Sequence, residues 1–238
     1  MSTAHIGIVA CSAEGASLCY RTICAEGPAQ LGPHAHPEVS LHGHSLAAYL
    51  DLLDRGDLAG VGALMLDSAR RLAAVGADVV ICPDNTIHQA LPLIIDQSPV
   101  PWLHIAEVVA GEAVQRGCRR VGVLGTRWLV DSDVYPASLA AAGIEAVLPS
   151  PSDRDEVQRI IMDELVPGRV GPDATVRVQR VIERLAAAGC DAVVLGCTEI
   201  PLIIDDTNSA LPTLDSTRLL ARAALHWAIE RDRVDGVG

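Results

Sequence analysis

Two residues able to carry a proton, Asp84 and Cys197, occupy equivalent places in an internal repeat of the chain. Leu72-Ala-Ala-Val-Gly-Ala-Asp-Val-Val-Ile-Cys-Pro-Asp-Asn-Thr86 lies over Leu185-Ala-Ala-Ala-Gly-Cys-Asp-Ala-Val-Val-Leu-Gly-Cys-Thr-Glu199 at a constant offset of 113 residues. A second stretch agrees: Ile6-Gly-Ile-Val9 lies over Val121-Gly-Val-Leu124, and Tyr20 over Tyr135, at an offset of 115. A carboxylate and a thiol on opposite faces of a small substrate can invert a carbon that bears an acidic hydrogen. One group removes the proton and the other returns one from the far side. The negative charge that develops needs N–H and hydroxyl donors at helix N-termini. Asn85 and Thr86 follow Asp84, Thr198 follows Cys197, and Thr126 follows a strand ending at Gly125. A small carboxylate is therefore the expected substrate. A free Asp titrates near about 3.9 and a free Cys near about 8.5, so the expected resting pair is carboxylate plus thiol.

Other reactive side chains have weaker claims. His34, His36, His42 and His44 form two His-x-His pairs, yet no nearby Cys completes a metal site and Glu38 is the one close acid, so no metal is expected. Cys82 precedes Asp84 by two residues, but the repeat pairs it with Leu195, a strand residue, and a buried structural thiol is expected. Cys11 sits in the turn after the first strand, where its repeat partner is Thr126. His88, one helical turn beyond Asp84, either orients substrate or packs in the core. Arg127 can hold a carboxylate or form a surface ion pair. Tyr20 and Tyr135, equivalent by repeat, are expected to pack each half.

These residues need elements to hold them. Buried strands are predicted at 5–10, 78–82, 120–125, 145–148, 191–196 and 211–215. Helical spacing covers 44–53, 58–75, 86–95, 131–142, 154–166, 176–188 and 216–231, with another helix running from the first turn through Tyr20. Strands alternating with helices predict an α/β fold of parallel sheets. The repeat divides it into two pseudo-symmetric lobes, residues 1–97 with 209–238 and residues 98–208, the last strand and helix returning to the first lobe. Ligands of open α/β sheets bind outside the carboxyl ends of the strands, where both repeats end. The expected site is the cleft between the lobes.

Composition removes several alternatives. The chain of 238 residues has no Lys and no Phe, and its net charge is -12. Without Lys it cannot anchor pyridoxal phosphate as a Schiff base, nor complete a Walker A loop. The acidic balance argues against nucleic acid as a partner. No apolar run reaches the length of a membrane span and the start is already strand-like, so neither a membrane partner nor a signal peptide is expected. Seven scattered cysteines without a CxxC pair suit reduced thiols in the cytoplasm.

The segment Val193-Val-Leu-Gly-Cys-Thr-Glu-Ile-Pro-Leu202 resembles the second cysteine signature of the aspartate/glutamate racemase family. Pro83-Asp-Asn-Thr-Ile-His88 resembles the first cysteine motif, and Leu124-Gly-Thr-Arg-Trp128 with Tyr135 resembles the Gly-Thr loop. Asp153-Arg-Asp-Glu-Val157 and Asp163-Glu-Leu165 fit as well. The resemblance implies a cofactor-independent amino-acid racemase of two flavodoxin-like lobes, often a homodimer, with Asp84 and Cys197 catalytic. It implies substrate-binding roles for Ser12, Asn85, Thr86, Thr126, Arg127, Thr198 and Glu199. Three departures stand out: Asp84 replaces the first cysteine, Ala10-Cys-Ser-Ala13 replaces a Gly-Gly-Met loop, and Leu129 replaces a Thr. An arylmalonate decarboxylase-like or maleate isomerase-like enzyme using one thiol stays open, as does a binding protein that senses a small acid.

Overall fold

The computed structural model describes residues 3–235. Its contacts divide the chain into two units: residues up to Ile105 with those from Thr217 onward, and Ala106–Ser216.

The first unit begins with β1 (Ile6–Ala10), buried at every position. That burial follows from its place inside a parallel sheet of order β2-β1-β3-β4. Ser12 then ends the strand and caps α1 (Ala13–Glu26), accepting a hydrogen bond from the Gly15 N–H at 3.1 Å. A short helix α2 (Pro28–Leu31), edge strand β2 (Val39–Gly43), α3 (Leu46–Asp54), α4 (Leu58–Ala74) and β3 (Val79–Ile81) follow. A helix was predicted over 86–95; residues Thr86–Leu93 instead form tighter 3-10 turns, with Pro92 inside them. Pro92 has no N–H to donate into an α-helical ladder. Then comes β4 (Trp102–Leu103), which pairs with β3.

The second unit takes in α5 (Ile105–Gln115) from its second residue on, then β5 (Arg120–Leu124), a short α6 (Arg127–Val130), α7 (Val134–Ala141), β6 (Glu145–Val147) and α8 (Pro151–Arg159). The helix expected at 154–166 changes character at Ile160–Leu165, where it widens into π turns. After α9 (Ala174–Ala187) and β7 (Ala192–Leu195) the unit closes with β8 (Thr213–Asp215). Its parallel sheet has the order β6-β5-β7-β8. Val178, Val181, Ile182 and Leu185 recur along one stripe of α9 and bury against Val193 and Leu195. The last helix, α10 (Ser216–Asp235), groups with the first unit from Thr217 onward.

Two parallel four-stranded sheets flanked by helices agree with the expected α/β class. The boundaries need correction. The last strand does not return to the first lobe: β8 pairs with β7, Leu195 opposite Asp215. Only the helix after it groups with the first unit. The first unit also runs beyond residue 97, because Trp102 and Leu103 pair with Val80 and Ile81.

The repeat is visible in matched contacts. The His5 N–H donates to Asp78 Oδ2 at 2.7 Å, and the equivalent Arg120 N–H donates to Asp191 Oδ2 at 2.9 Å. In return the Asp78 and Asp191 N–H groups donate to the carbonyls of His5 and Arg120, at 2.8 and 2.7 Å. A Cβ on Gly7 would stand 3.1 Å from Leu72 Cβ, and one on Gly122 3.4 Å from Leu185 Cβ. Bare glycine thus lets each helix lie close on its strand. Strand registers match too, Ile8 facing Ile81 and Val123 facing Val194.

Candidate functional site

At the carboxyl end of the first sheet, Cys11 follows β1 by one residue and Asp84 follows β3 by three, and both lie near the Tyr49 hydroxyl. Asp84 is half-buried, and its Oδ1 accepts the Ile87 N–H at 3.1 Å, so the turn that starts the 3-10 segment orients the carboxylate. Asn85 and Thr86 are buried directly after it.

His88 sits in the wall behind Asp84 and is wholly buried. Its Nε2 accepts the Ile105 N–H at 3.3 Å, so the ring proton lies on Nδ1, which donates to the Asp84 carbonyl at 2.7 Å. Burial and the His104 ring, stacked edge-on at 4.7 Å, lower its pKa to about 3. His88 is therefore a neutral strut that ties the Asp84 backbone to the chain at Ile105. Cys82 is fully buried, and desolvation together with the Asp84 charge pushes its thiol well up, so it stays protonated. Tyr49 of α3, missed by sequence reasoning, is buried with its hydroxyl near Cys82, Cys11 and Asp84; burial raises its pKa and keeps the phenol neutral. A lone Tyr in an apolar helical run carried no sequence signal of that position.

At the carboxyl end of the second sheet, Leu124 pairs with Leu195 and the Gly196 N–H donates to the Leu124 carbonyl at 2.8 Å; Thr126 follows β5 by two residues and Cys197 follows β7 by two. The Cys197 thiol donates to Glu199 Oε2 at 2.9 Å. The Thr198 hydroxyl donates to the same oxygen at 2.8 Å. All three residues are buried. One carboxylate oxygen of Glu199 thus accepts from both the thiol and the hydroxyl. Thr126 caps α6, its hydroxyl accepting the Leu129 N–H at 3.4 Å. Gly125 and Gly196 bring the two strand ends together, where a Cβ on Gly196 would stand 2.5 Å from the Leu124 carbonyl oxygen. Tyr135 is buried and hydrogen-bonds Ser216, whose hydroxyl in turn donates to the Leu195 carbonyl at 2.8 Å.

The remaining expected residues fall elsewhere. Arg127 is exposed; its N–H donates to Gln158 Oε1 at 2.7 Å and its guanidinium lies 5.9 Å from the centre of the Trp128 ring. Tyr20 does not pack its unit as Tyr135 does: it is 42% exposed, because its stretch of α1 faces an open hollow rather than the sheet. His42 and His44 share an edge-on ring contact, but each is held by α4: His42 Nδ1 by the Ser68 hydroxyl and His44 Nε2 by Asp67, both at 2.9 Å. Among the described residues no three His, Cys, Asp or Glu side chains converge as a metal site requires.

Fold and strand ends together define an α/β protein with a carboxylate and a thiol at equivalent strand ends. The Asp/Glu/hydantoin racemase family pattern matches residues 8–224, and the chain belongs to that family. It is accordingly an enzyme of the racemase type, an isomerase. The broad specificity amino-acid racemase RacX of Bacillus subtilis (strain 168) is 26% identical over 164 residues, 68% of this chain and 69% of that protein. A crystal structure from Yersinia pestis, assigned to the Asp/Glu racemases, superposes with a TM-score of 0.87 at 31% identity, covering 95% of this chain and 99% of the other. An aspartate racemase homologue from Pyrococcus horikoshii gives a TM-score of 0.82 at 26% identity, covering 94% and 99%. No helix among the described residues is long and apolar enough to cross a membrane.

Proposed function

We propose that the protein racemises or epimerises a small amino acid without a cofactor, Asp84 and Cys197 acting from opposite faces of the α-carbon. The observation that carries this reading is the equivalence of the two residues: each follows the β-strand whose register against its neighbour is repeated in the other unit. Asp84, ionised, takes the α-proton of one enantiomer; Cys197 delivers a proton to the opposite face, and the roles reverse for the other enantiomer. Glu199 relays the thiol proton. Asn85, Thr86, Thr126 and Thr198, with the Ser12 hydroxyl, hold the substrate carboxylate and the charge that spreads into it. A chain without Lys has no internal Schiff base to offer pyridoxal phosphate, which supports direct proton transfer. The family resemblance puts a first cysteine at position 84, and the Asp84 carboxylate is still a proton carrier. The same reading includes a cytoplasmic homodimer, supported by the cysteine pattern and the family resemblance.

The experiment is polarimetric. Single enantiomers of the common amino acids are incubated with purified protein, and optical rotation should decay to zero for at least one of them. Decarboxylation of a malonate, or isomerisation of an alkene, without any loss of rotation from an amino acid favours the one-thiol alternative. Tight binding of a small acid without turnover favours the sensor.

A further inference from the structure

Ala13, Ala16, Ser17 and Tyr20 recur along α1 at three- and four-residue spacing and so form one stripe of the helix. This stripe lines an open hollow of about 550 Å³ together with Ala10, Cys11 and Ser12 at the end of β1 and with Leu41, His44 and Leu46 beyond it. The volume falls within the range of small-molecule sites, on the order of 300–1,000 Å³. Its apolar surface has a topological cause. β2 is the edge strand of the first sheet, paired on one side only, and its Leu41 is 52% exposed. The hollow adjoins the reaction centre: Cys11, one of its lining residues, and Asp84 both lie close to the buried Tyr49 hydroxyl.

Among the described residues, no arginine and no carboxylate line it. Its imidazole, His44, already has Nε2 engaged by Asp67 at 2.9 Å. With the Ser12 hydroxyl taking the α-carboxylate, a second carboxylate placed against Ala16, Leu41 and Leu46 would give up water without meeting a cation, and an ammonium would meet no anion. An aliphatic or aromatic group loses nothing and buries its surface. We propose that this hollow receives the substrate side chain, and that the preferred substrates are amino acids with uncharged, apolar side chains of leucine, methionine or phenylalanine size. The inference rests on the racemase reading and names the substrate class for the same site.

The test is α-hydrogen exchange in heavy water, followed by proton NMR, across leucine, methionine, phenylalanine, aspartate, glutamate, lysine and arginine. Wild type is compared with Leu41→Glu, and with Tyr20→Ala in case the first variant fails to fold. The expected kcat/KM for leucine exceeds that for aspartate at least tenfold. Leu41→Glu lowers the leucine value at least tenfold, chiefly through KM. Fastest exchange with aspartate or glutamate, or a profile indifferent to both variants, overturns the inference and leaves the racemase reading standing. A change of sedimenting mass in Leu41→Glu without a change of profile marks this face as an interface between copies and overturns it equally. No exchange with any amino acid sinks the racemase reading and the inference with it.

Discussion

The thiol of Cys197 donates to the carboxylate of Glu199 at 2.9 Å inside a buried turn, and Thr198 donates to the same oxygen. Under the proposed two-base reaction the thiol sheds and regains a proton in every turnover, and this carboxylate is the group beside it. Glu199→Gln keeps the shape and removes the acceptor charge. It should cut racemisation on the order of 10²-fold, the usual lower range for one acid/base contribution. Glu199→Asp should recover part of the loss. Racemisation followed by polarimetry, beside a thermal melt, checks this; a fall of less than threefold in a folded Glu199→Gln contradicts it.

His88 makes folding stability depend on pH in a definite direction. Its pKa is about 3 in the folded protein and about 6.5 when unfolded, so the unfolded chain binds the extra proton between those values. The contribution is fully present above about 6.5 and is lost as pH falls towards 3. Each pH unit in that window costs the wild type about 1.4 kcal/mol. His88→Gln should be less stable than wild type at pH about 7.5, and the gap should narrow by about 1.4 kcal/mol at pH about 5.5. Urea unfolding at the two pH values measures it; a constant gap would show that the imidazole is not held neutral.

Gly196 lets the chain before Cys197 cross the end of β5. A Cβ there would stand 2.5 Å from the Leu124 carbonyl oxygen and 2.7 Å from Leu129 Cδ2. Backbone cannot move aside as a side-chain tip can. Gly196→Ala should lose about 1–3 kcal/mol of stability and most of the activity, since the strand end carrying Cys197 must shift. A variant with unchanged melting temperature and turnover would refute this packing.

Cys82 and Cys197 should separate cleanly by substitution. Cys82→Ala removes one buried sulfur atom, at a cost of about 1 kcal/mol, and leaves racemisation within about threefold of wild type. Cys197→Ala should abolish racemisation with little effect on folding. Loss of activity in Cys82→Ala at full stability would make that thiol the catalyst, against its burial.

Much of this was legible in the sequence because repeated residues do repeated work. Leu72 and Leu185, Asp78 and Asp191, and Gly7 and Gly122 recur at the same offsets because each pair fastens a helix or a neighbouring strand in the same way. Short or one-sided elements were harder to read. Trp102 and Leu103 form a strand too short to show periodicity, behind two prolines that read as a stop. Val39–Gly43 is an edge strand with Ser40 and His42 among apolar residues, a pattern without the continuous apolar run of a buried strand. The final strand and helix read in the sequence as one unit, whereas the unit boundary falls between them, just after Ser216. Glu199 was legible as a site residue through its motif, but its contact with Cys197 depends on a turn that spacing alone does not describe.

The central claim is that Asp84 and Cys197 are the two opposed acid/bases. It is tested most directly by deuterium incorporation at the α-carbon, measured separately from each pure enantiomer of a turned-over amino acid with wild type, Asp84→Asn and Cys197→Ala. Wild type should incorporate deuterium from both enantiomers and invert them. Each variant should lose inversion by about 10³-fold, while exchange persists from one enantiomer only, opposite in hand for the two variants. Inversion that survives in either variant, or exchange lost from the same enantiomer in both, would contradict the two-sided assignment.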